Sequence, residues 1–106
     1  MAILRDVSND VFVSVASVWE IAIKRATGKL QFPTPIVEAV HRMGFELLPI
    51  NAAHAEHAGA LPRHHNDPFD RLIIAQAMLE GLALGTRDRA LGHYGVPTLG
   101  LNRTEA

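Results

Sequence analysis

Short apolar runs alternate along the chain with amphipathic segments, which predicts an alternation of strands and helices. The first clear run, Val11 to Val15, is β-branched and aromatic throughout except for Ser14. Such a run is typical of a strand that is buried on both faces, as in a parallel sheet. The following Ser17 and Glu20 form an S-x-x-E pattern, which predicts a capping box and a helix that ends at Thr27 and Gly28.

The rest of the chain repeats this pattern, with capping residues, prolines and glycines marking the ends of helices. The predicted elements are a helix from Pro35 to about Met43 capped by Thr34, a strand from Phe45 to Ile50, a helix from Asn51 to about Gly59, a long buried helix from Asp67 to Gly81, a strand from Leu82 to Thr86, a short helix from Arg87 to His93, and a strand from Pro97 to Leu101. This alternation indicates an α/β fold with a mainly parallel sheet.

Composition narrows the class of protein. The 106 residues suit one domain, and a hydrophobic share of 48% is typical of a folded protein rather than a disordered one. The absence of cysteine excludes disulfides and thiolate zinc sites and favours a cytoplasmic location. We expect no membrane association, because the sequence shows neither a leader nor an apolar run of about 20 residues. A net charge of -1 argues against a general nucleic-acid coat but permits a nuclease with clustered acids.

Four acidic residues are predicted to meet at one edge of the sheet. Asp67 suits the N-cap of the long helix, with Pro68 at its first position and Asp70 at its third. Glu20 follows the first predicted strand, and Asp88 follows the strand that ends near Thr86. The carboxyl ends of parallel strands share an edge, where ligands bind in such folds. We therefore expect the four carboxylates to converge there.

Clustered carboxylates repel one another unless a cation binds between them. Mg²⁺ or Mn²⁺ takes oxygen ligands and can activate water for attack on a phosphodiester, so hydrolysis of that bond is the predicted reaction. Each acid also has a structural alternative: Glu20 as the capping-box partner of Ser17, Asp67 and Asp88 as N-caps, and Asp70 as a first-turn acid stabilised by the helix dipole.

Basic, imidazole and aromatic side chains add further hypotheses. Lys24, Arg71 and Arg87 are candidates for contact with an RNA backbone, although each such residue is individually more often a solvated surface residue. A second possible site is a zinc or manganese centre that combines histidines with Asp67; its imidazole ligands would come from His54, His57, His64 and His65. Trp19 is predicted to belong to the core rather than to form a base-stacking platform.

Several motifs together resemble a known family, the PIN-domain ribonucleases of the VapC toxin type. These motifs are Ser14-x-x-Ser17-x-Trp19-Glu20-Ile21-x-Ile23-Lys24, Gly28-Lys29-Leu30, Leu61-Pro62, His65-x-Asp67-Pro68-Phe69-Asp70-Arg71, Ala75-Gln76-Ala77, and Thr86-x-Asp88 with Tyr94-Gly95-Val96. The resemblance implies a three-layer α/β fold and a Mg²⁺- or Mn²⁺-dependent endoribonuclease that acts on cytoplasmic RNA such as tRNA or rRNA. It also implies a homodimer inhibited by a VapB-type antitoxin. By position, Glu20, Asp70 and Asp88 match the metal-site acids of the family, with Asp67 as a helper.

The beginning of the chain departs from this family, whose members start with a strand that ends in aspartate and lies in the middle of the sheet. Here residues 1–6 resemble the tail of the helix that follows that strand, and neither Asp6 nor Asp10 ends an apolar run. We therefore expect residues 1–106 to form a single PIN-like domain, N-terminally truncated relative to the family, that lacks the first strand and exposes the edges of its neighbours. Two functions stay open: an active endoribonuclease toxin, or a catalytically impaired PIN remnant that retains dimerisation or antitoxin binding.

Overall fold

The computed structural model describes residues 2–62, 67–86, 94 and 98–100. Within them five strands form a single mixed sheet in the order β3-β2-β1-β4-β5. In chain order the elements are β1 (Ile3–Arg5), β2 (Val11–Ser14), α1 (Val15–Ala26), α2 (Ile36–Arg42), β3 (Glu46–Leu48), α3 (Ala52–Ala60), α4 (Pro68–Glu80), β4 (Ala83–Thr86) and β5 (Thr98–Gly100). The predicted α/β class is confirmed. The helix predicted from Arg87 to His93 lies outside the described residues.

Capping residues set the ends of α3 and α4, as predicted. Asn51 accepts a hydrogen bond from the backbone N–H of His54, whose side chain accepts from the backbone N–H of Asn51, which completes a capping box. Asp67 caps α4, and Gly81 ends that helix with a φ of 67°. Because this left-handed conformation is strained for other residues, glycine suits the position.

Two predicted helix starts are wrong. The hydroxyl of Ser14, rather than that of Ser17, caps α1 by accepting from the backbone N–H of Ala16 at 3.0 Å, and Ser17 lies buried inside the helix. The second helix begins after Pro35 without a side-chain cap, so Thr34 does not have the predicted role. As a consequence Glu20 is not the partner of a capping box at Ser17 and lies in the second turn of α1.

The most important difference from the expectation is β1, because residues 3–5 form a strand rather than the tail of a helix. This strand lies in the middle of the sheet and pairs antiparallel with both β2 and β4. In contrast, β2 pairs parallel with β3, and β4 pairs parallel with β5. The neighbouring edges are therefore paired, and their predicted exposure is wrong. Four strands share one direction, as expected, and β1 alone among the described strands runs against them.

A tight turn connects β1 to β2. The Asp6 carboxylate accepts hydrogen bonds from the backbone N–H groups of Ser8 and Asp10, both at 2.9 Å. Because β1 is antiparallel to its neighbours, this turn lies at the edge opposite the carboxyl ends of β2 and β4. Asp6 and Asp10 therefore lie at the opposite edge of the sheet from the one at which the four acids were predicted to converge.

The core lies between the sheet and α4, whose residues 73–77 are all buried. Leu4 and Leu84 in adjacent strands are fully buried together with Ile74. The side-chain amide of Gln76, also fully buried, donates to the carbonyls of Leu48 and Pro49 and so joins α4 to the end of β3. No helix within the described residues is long and apolar enough to cross a membrane.

The topology places a crevice at one edge of the sheet. From β2 the chain continues to β3 on one side, and from β4 it continues to β5 on the other. The connections that leave β2 and β4 therefore run in opposite directions across the sheet. In open α/β sheets, ligands bind where the connections diverge in this way, outside the carboxyl ends of the strands. The helix α1 begins directly after β2 at this edge.

Candidate active site

An open cleft of about 490 Å³ lies between α1 and the start of α4. It is lined by Glu20, Ile23, Lys24, Thr27, Lys29, Asp67, Pro68 and Phe69. Three of these residues, at positions 20, 23 and 24, share one face of α1 because residues three and four apart are neighbours on a helix, and Thr27 follows as its C-cap. The cleft brings together Glu20 and Asp67, two of the four acids that were predicted to converge.

Glu20 lies on the α1 wall of this cleft with a side chain that is 25% exposed. Its carboxylate is 3.4 Å from the ammonium group of Lys24, one turn further along the helix. A partly exposed ion pair of this kind contributes at most about 1 kcal/mol to the free energy of unfolding. The pairing therefore does not assign a purely structural role to either side chain. Lys24, a predicted RNA contact, therefore lies beside an acid of the cleft.

Asp67 forms the opposite wall, at the N-terminus of α4. Its Oδ1 atom accepts hydrogen bonds from the backbone N–H groups of Phe69 at 2.9 Å and Asp70 at 3.4 Å. The predicted N-cap role is confirmed. Asp70 lies in the first turn of α4, as predicted, and is partly buried. Asp88 and Arg87 lie outside the described residues.

The side chains that line the cleft include oxygen donors of the kind that a hard divalent cation prefers. Glu20 and Asp67 offer carboxylate oxygens, and Mg²⁺ commonly takes one or two carboxylates together with waters and substrate phosphate oxygens. In the part of the chain that the structure describes, no three side chains of histidine, cysteine, aspartate or glutamate form a metal-binding group. A metal site built from Glu20, Asp67, Asp70 and Asp88 therefore stays a prediction.

The two described histidines of the alternative metal site are engaged elsewhere. His54 is buried, and its Nε2 atom lies 2.8 Å from a carboxylate oxygen of Glu80. The Nε2 atom of His57 lies 3.3 Å from the sulfur of Met78. Both contacts are near the C-terminal end of α4, whereas Asp67 caps its N-terminus about 20 Å away along a helix of this length. The predicted metal site that combines His54 or His57 with Asp67 is therefore wrong. His64 and His65 lie outside the described residues.

Arg71 holds α4 against the end of α3. Its guanidinium donates hydrogen bonds to the carbonyls of Ala58, Leu61 and Pro62, at 2.9, 2.8 and 3.1 Å. These carbonyls end a helix, where backbone acceptors lack intrahelical partners and favour a cation. The structure thus gives Arg71 an architectural role, and its contact with RNA stays a prediction.

Trp19 was predicted to belong to the core, and this prediction is wrong. The residue is 59% exposed, and its ring meets that of Phe69 edge to face, with centroids 5.1 Å apart and an interplanar angle of 73°. Phe69 in turn lines the acid cleft. The sequence signal that could have placed this aromatic ring near the site is that Trp19 directly precedes Glu20 in the chain.

A second cavity of about 450 Å³ adjoins the cleft and shares Glu20, Lys24 and Lys29 with it. Its remaining lining is largely apolar and comes from α1, α2 and the segment between them, including Leu30, Phe32, Ile36, Val40 and Met43. The acid cleft therefore opens onto an apolar groove.

Comparison with known families agrees with the α/β fold. The model of the PIN domain family matches residues 1–97. The chain belongs to the PIN domain family. Over 63 residues it is also 40% identical to Ribonuclease VapC16 of Mycobacterium tuberculosis (strain ATCC 25618 / H37Rv), in a match that covers 56% of this chain and 45% of that relative. The chain thus spans less than half the length of this relative. No solved structure matches the chain significantly.

Proposed function

We propose that this PIN-domain protein is a metal-dependent endoribonuclease toxin that hydrolyses phosphodiester bonds of RNA in the cytoplasm. The observation that carries the proposal is the meeting of Glu20 and Asp67 in one cleft, with Lys24 beside them. The similarity to a relative that is named a ribonuclease supports the same activity. A cytoplasmic tRNA or rRNA is the proposed substrate.

In this proposal Mg²⁺ or Mn²⁺ is held by Glu20, Asp70 and Asp88, with Asp67 as a helper. When bound, such an ion supplies an activated water and stabilises the charge that develops on the phosphate. Asp67 and Asp70 both lie at the N-terminus of α4, where the helix dipole interacts favourably with negatively charged side chains. Lys24, Arg71 and Arg87 are proposed to contact the RNA backbone.

We further propose that the protein acts as a homodimer and is inhibited by a VapB-type antitoxin. The resemblance to VapC toxins and the name of the related ribonuclease support this assignment. Both partners are macromolecules whose binding can be measured independently of cleavage, by sedimentation of the isolated chain and by co-purification with the product of a neighbouring antitoxin gene.

The second candidate is a catalytically impaired PIN protein that retains dimerisation or antitoxin binding. One observation favours it: the central strand β1 starts, rather than ends, at the edge where β2 and β4 end. Asp6, the acidic residue that directly follows β1, is therefore at the opposite edge, and β1 brings no carboxylate to the cleft. An impaired protein would bind its partners without cleaving RNA.

Cleavage of a total tRNA pool by the purified chain tests the proposal, with Mg²⁺ or Mn²⁺ and with chelator as a control. We expect cleavage only with metal, and we expect Asp70→Asn to slow it by about 100-fold or more, since removing a metal ligand forfeits several kcal/mol of transition-state stabilisation. Asp10→Asn is the matched control, because it makes the same change at the opposite edge of the sheet.

The two outcomes separate the candidates. Metal-dependent cleavage that Asp70→Asn removes and Asp10→Asn preserves supports the active nuclease. A parent chain that leaves the tRNA intact in both metals supports the impaired protein. Cleavage by Asp70→Asn at the parental rate would contradict the assignment of Asp70 to the metal site.

A further inference from the structure

Trp19 is a large aromatic side chain that the fold fixes in place without burying. Its edge-to-face contact with Phe69 orients the indole ring, while 59% of the residue remains exposed. Burial of an aromatic side chain stabilises a folded protein, and this position forgoes much of that gain. The exposed ring is therefore available to a ligand and already held in one orientation.

The ring lies at the border of the acid cleft. Phe69, its partner, lines the cleft together with Asp67, and Ile23, one turn along α1 from Trp19, lines it as well. The indole ring therefore contacts one residue of the cleft lining and lies one helical turn from another.

Cationic side chains occupy the same cleft. Lys24 and Lys29 both line it, and the backbone N–H of Lys29 donates to the carbonyl of Lys24 at 2.9 Å, which fixes the two residues relative to each other. Proteins bind single-stranded RNA by combining cationic contacts to the backbone with aromatic rings on which bases stack. Trp19 and the two lysines provide both components next to the acids.

We propose that Trp19 is a positioning residue on which an unpaired base of the RNA substrate stacks while the adjacent phosphate lies in the acid cleft. This inference rests on the proposed ribonuclease function. The role requires an unpaired base, because a base inside a duplex is already stacked and cannot lie on the ring.

Fluorescence provides a direct test, since Trp19 is the single tryptophan of the chain. The parent protein is titrated in chelator, which prevents metal-dependent cleavage, with a short unstructured RNA and with the same strand annealed to its complement. We expect the single strand to quench the tryptophan emission and the duplex to leave it unchanged at the same concentration. Equal quenching by both, or none by the single strand, would overturn the proposal.

Two substitutions extend the test. Binding of the dye-labelled single strand, followed by anisotropy, is expected to weaken by about 5- to 100-fold in Trp19→Leu, because stacking on an aromatic ring contributes roughly that much per base. Trp19→Phe keeps an aromatic face and is expected to bind within a few-fold of the parent. Parental affinity in Trp19→Leu would contradict the proposal even if the parent cleaves RNA.

The exposed ring could instead lie between two copies of the chain. Sedimentation equilibrium of the parent and Trp19→Leu separates this outcome: dissociation of a dimer without loss of RNA affinity would overturn the stacking role. Because binding is measured in chelator, its result does not depend on cleavage. Trp19-dependent binding without cleavage contradicts only the nuclease assignment, and cleavage with Trp19-independent binding contradicts only this inference.

Discussion

Asp67 combines two roles that substitution can separate. As an N-cap it accepts two backbone hydrogen bonds, and as a proposed metal helper it contributes a negative charge. Asp67→Ala is expected to lower the free energy of unfolding by about 1 kcal/mol, whereas Asp67→Asn, which retains the acceptor oxygen, should change it by only a few tenths. Urea denaturation measures both. Equal stability of the parent and Asp67→Ala would contradict the capping role.

The same pair of variants tests the charge of Asp67. If the carboxylate assists a metal ion, Asp67→Asn lowers metal-dependent RNA cleavage although its stability is preserved. Cleavage by Asp67→Asn at the parental rate would restrict Asp67 to capping. The comparison is informative because the neutral amide and the carboxylate have nearly the same shape.

Single-residue patterns predicted helix ends well where only local backbone groups are involved, as at Asn51 and Gly81. They failed at α1, where Ser14 and Ser17 are both acceptable caps. There the choice depends on where β2 ends, and the pairing of Ser14 with Leu48 in β3 extends the strand up to Ser14. The exposure of Trp19 could not be predicted from these patterns either, because it depends on how α1 packs against α4.

At the scale of elements, Arg71 is the clearest link between two helices. Its three hydrogen bonds to carbonyls near the end of α3 require the planar guanidinium fork, which lysine lacks. We expect Arg71→Lys to lower the free energy of unfolding by about 1–3 kcal/mol, as for charged hydrogen bonds. Thermal denaturation checks the change. If Arg71→Lys is as stable as the parent, stability does not depend on the planar fork. The charge of Arg71 would then be its more important property, as expected of a residue that contacts phosphate.

The exposed pair of Arg42 with Glu38 on α2 provides a matched control for this prediction. Arg42→Lys makes the same chemical change in a pair that is solvent-exposed, and such pairs contribute at most about 1 kcal/mol. We expect its stability to lie within about 0.5 kcal/mol of the parent. A similar loss in both variants would indicate a general effect of replacing arginine rather than a specific link between α3 and α4.

The strand β1 marks the limit of what the sequence alone could predict about elements. Three residues are too few to reveal a period of two, and Arg5 does not suit a buried strand. Its position depends on pairing with β2 through a short turn and with β4, which is far away in the chain. In contrast, the edge shared by Glu20 and Asp67 was predictable, because it follows from the common direction of β2 and β4.

At the scale of the whole molecule, β1 makes one continuous sheet out of two pairs of parallel strands. Leu4 is fully buried between β2 and β4, whereas Val7, in the turn that follows, is 99% exposed. Leu4→Ala is expected to lower the free energy of unfolding by about 3–5 kcal/mol, through lost burial and the cavity left behind. Val7→Ala removes apolar groups from the same short segment and is expected to change stability by less than about 0.5 kcal/mol.

Since a domain of this size is stable by only about 5–15 kcal/mol, the Leu4→Ala loss would remove at least about a fifth of that stability. Urea denaturation of the two variants measures the difference, and amide hydrogen exchange of the parent locates it. If β1 is part of the cooperative core, the Leu4 amide exchanges as slowly as amides of β4. Fast exchange at Leu4 beside slow exchange in β4, with Leu4→Ala as stable as Val7→Ala, would mean that the sheet holds together without its central strand.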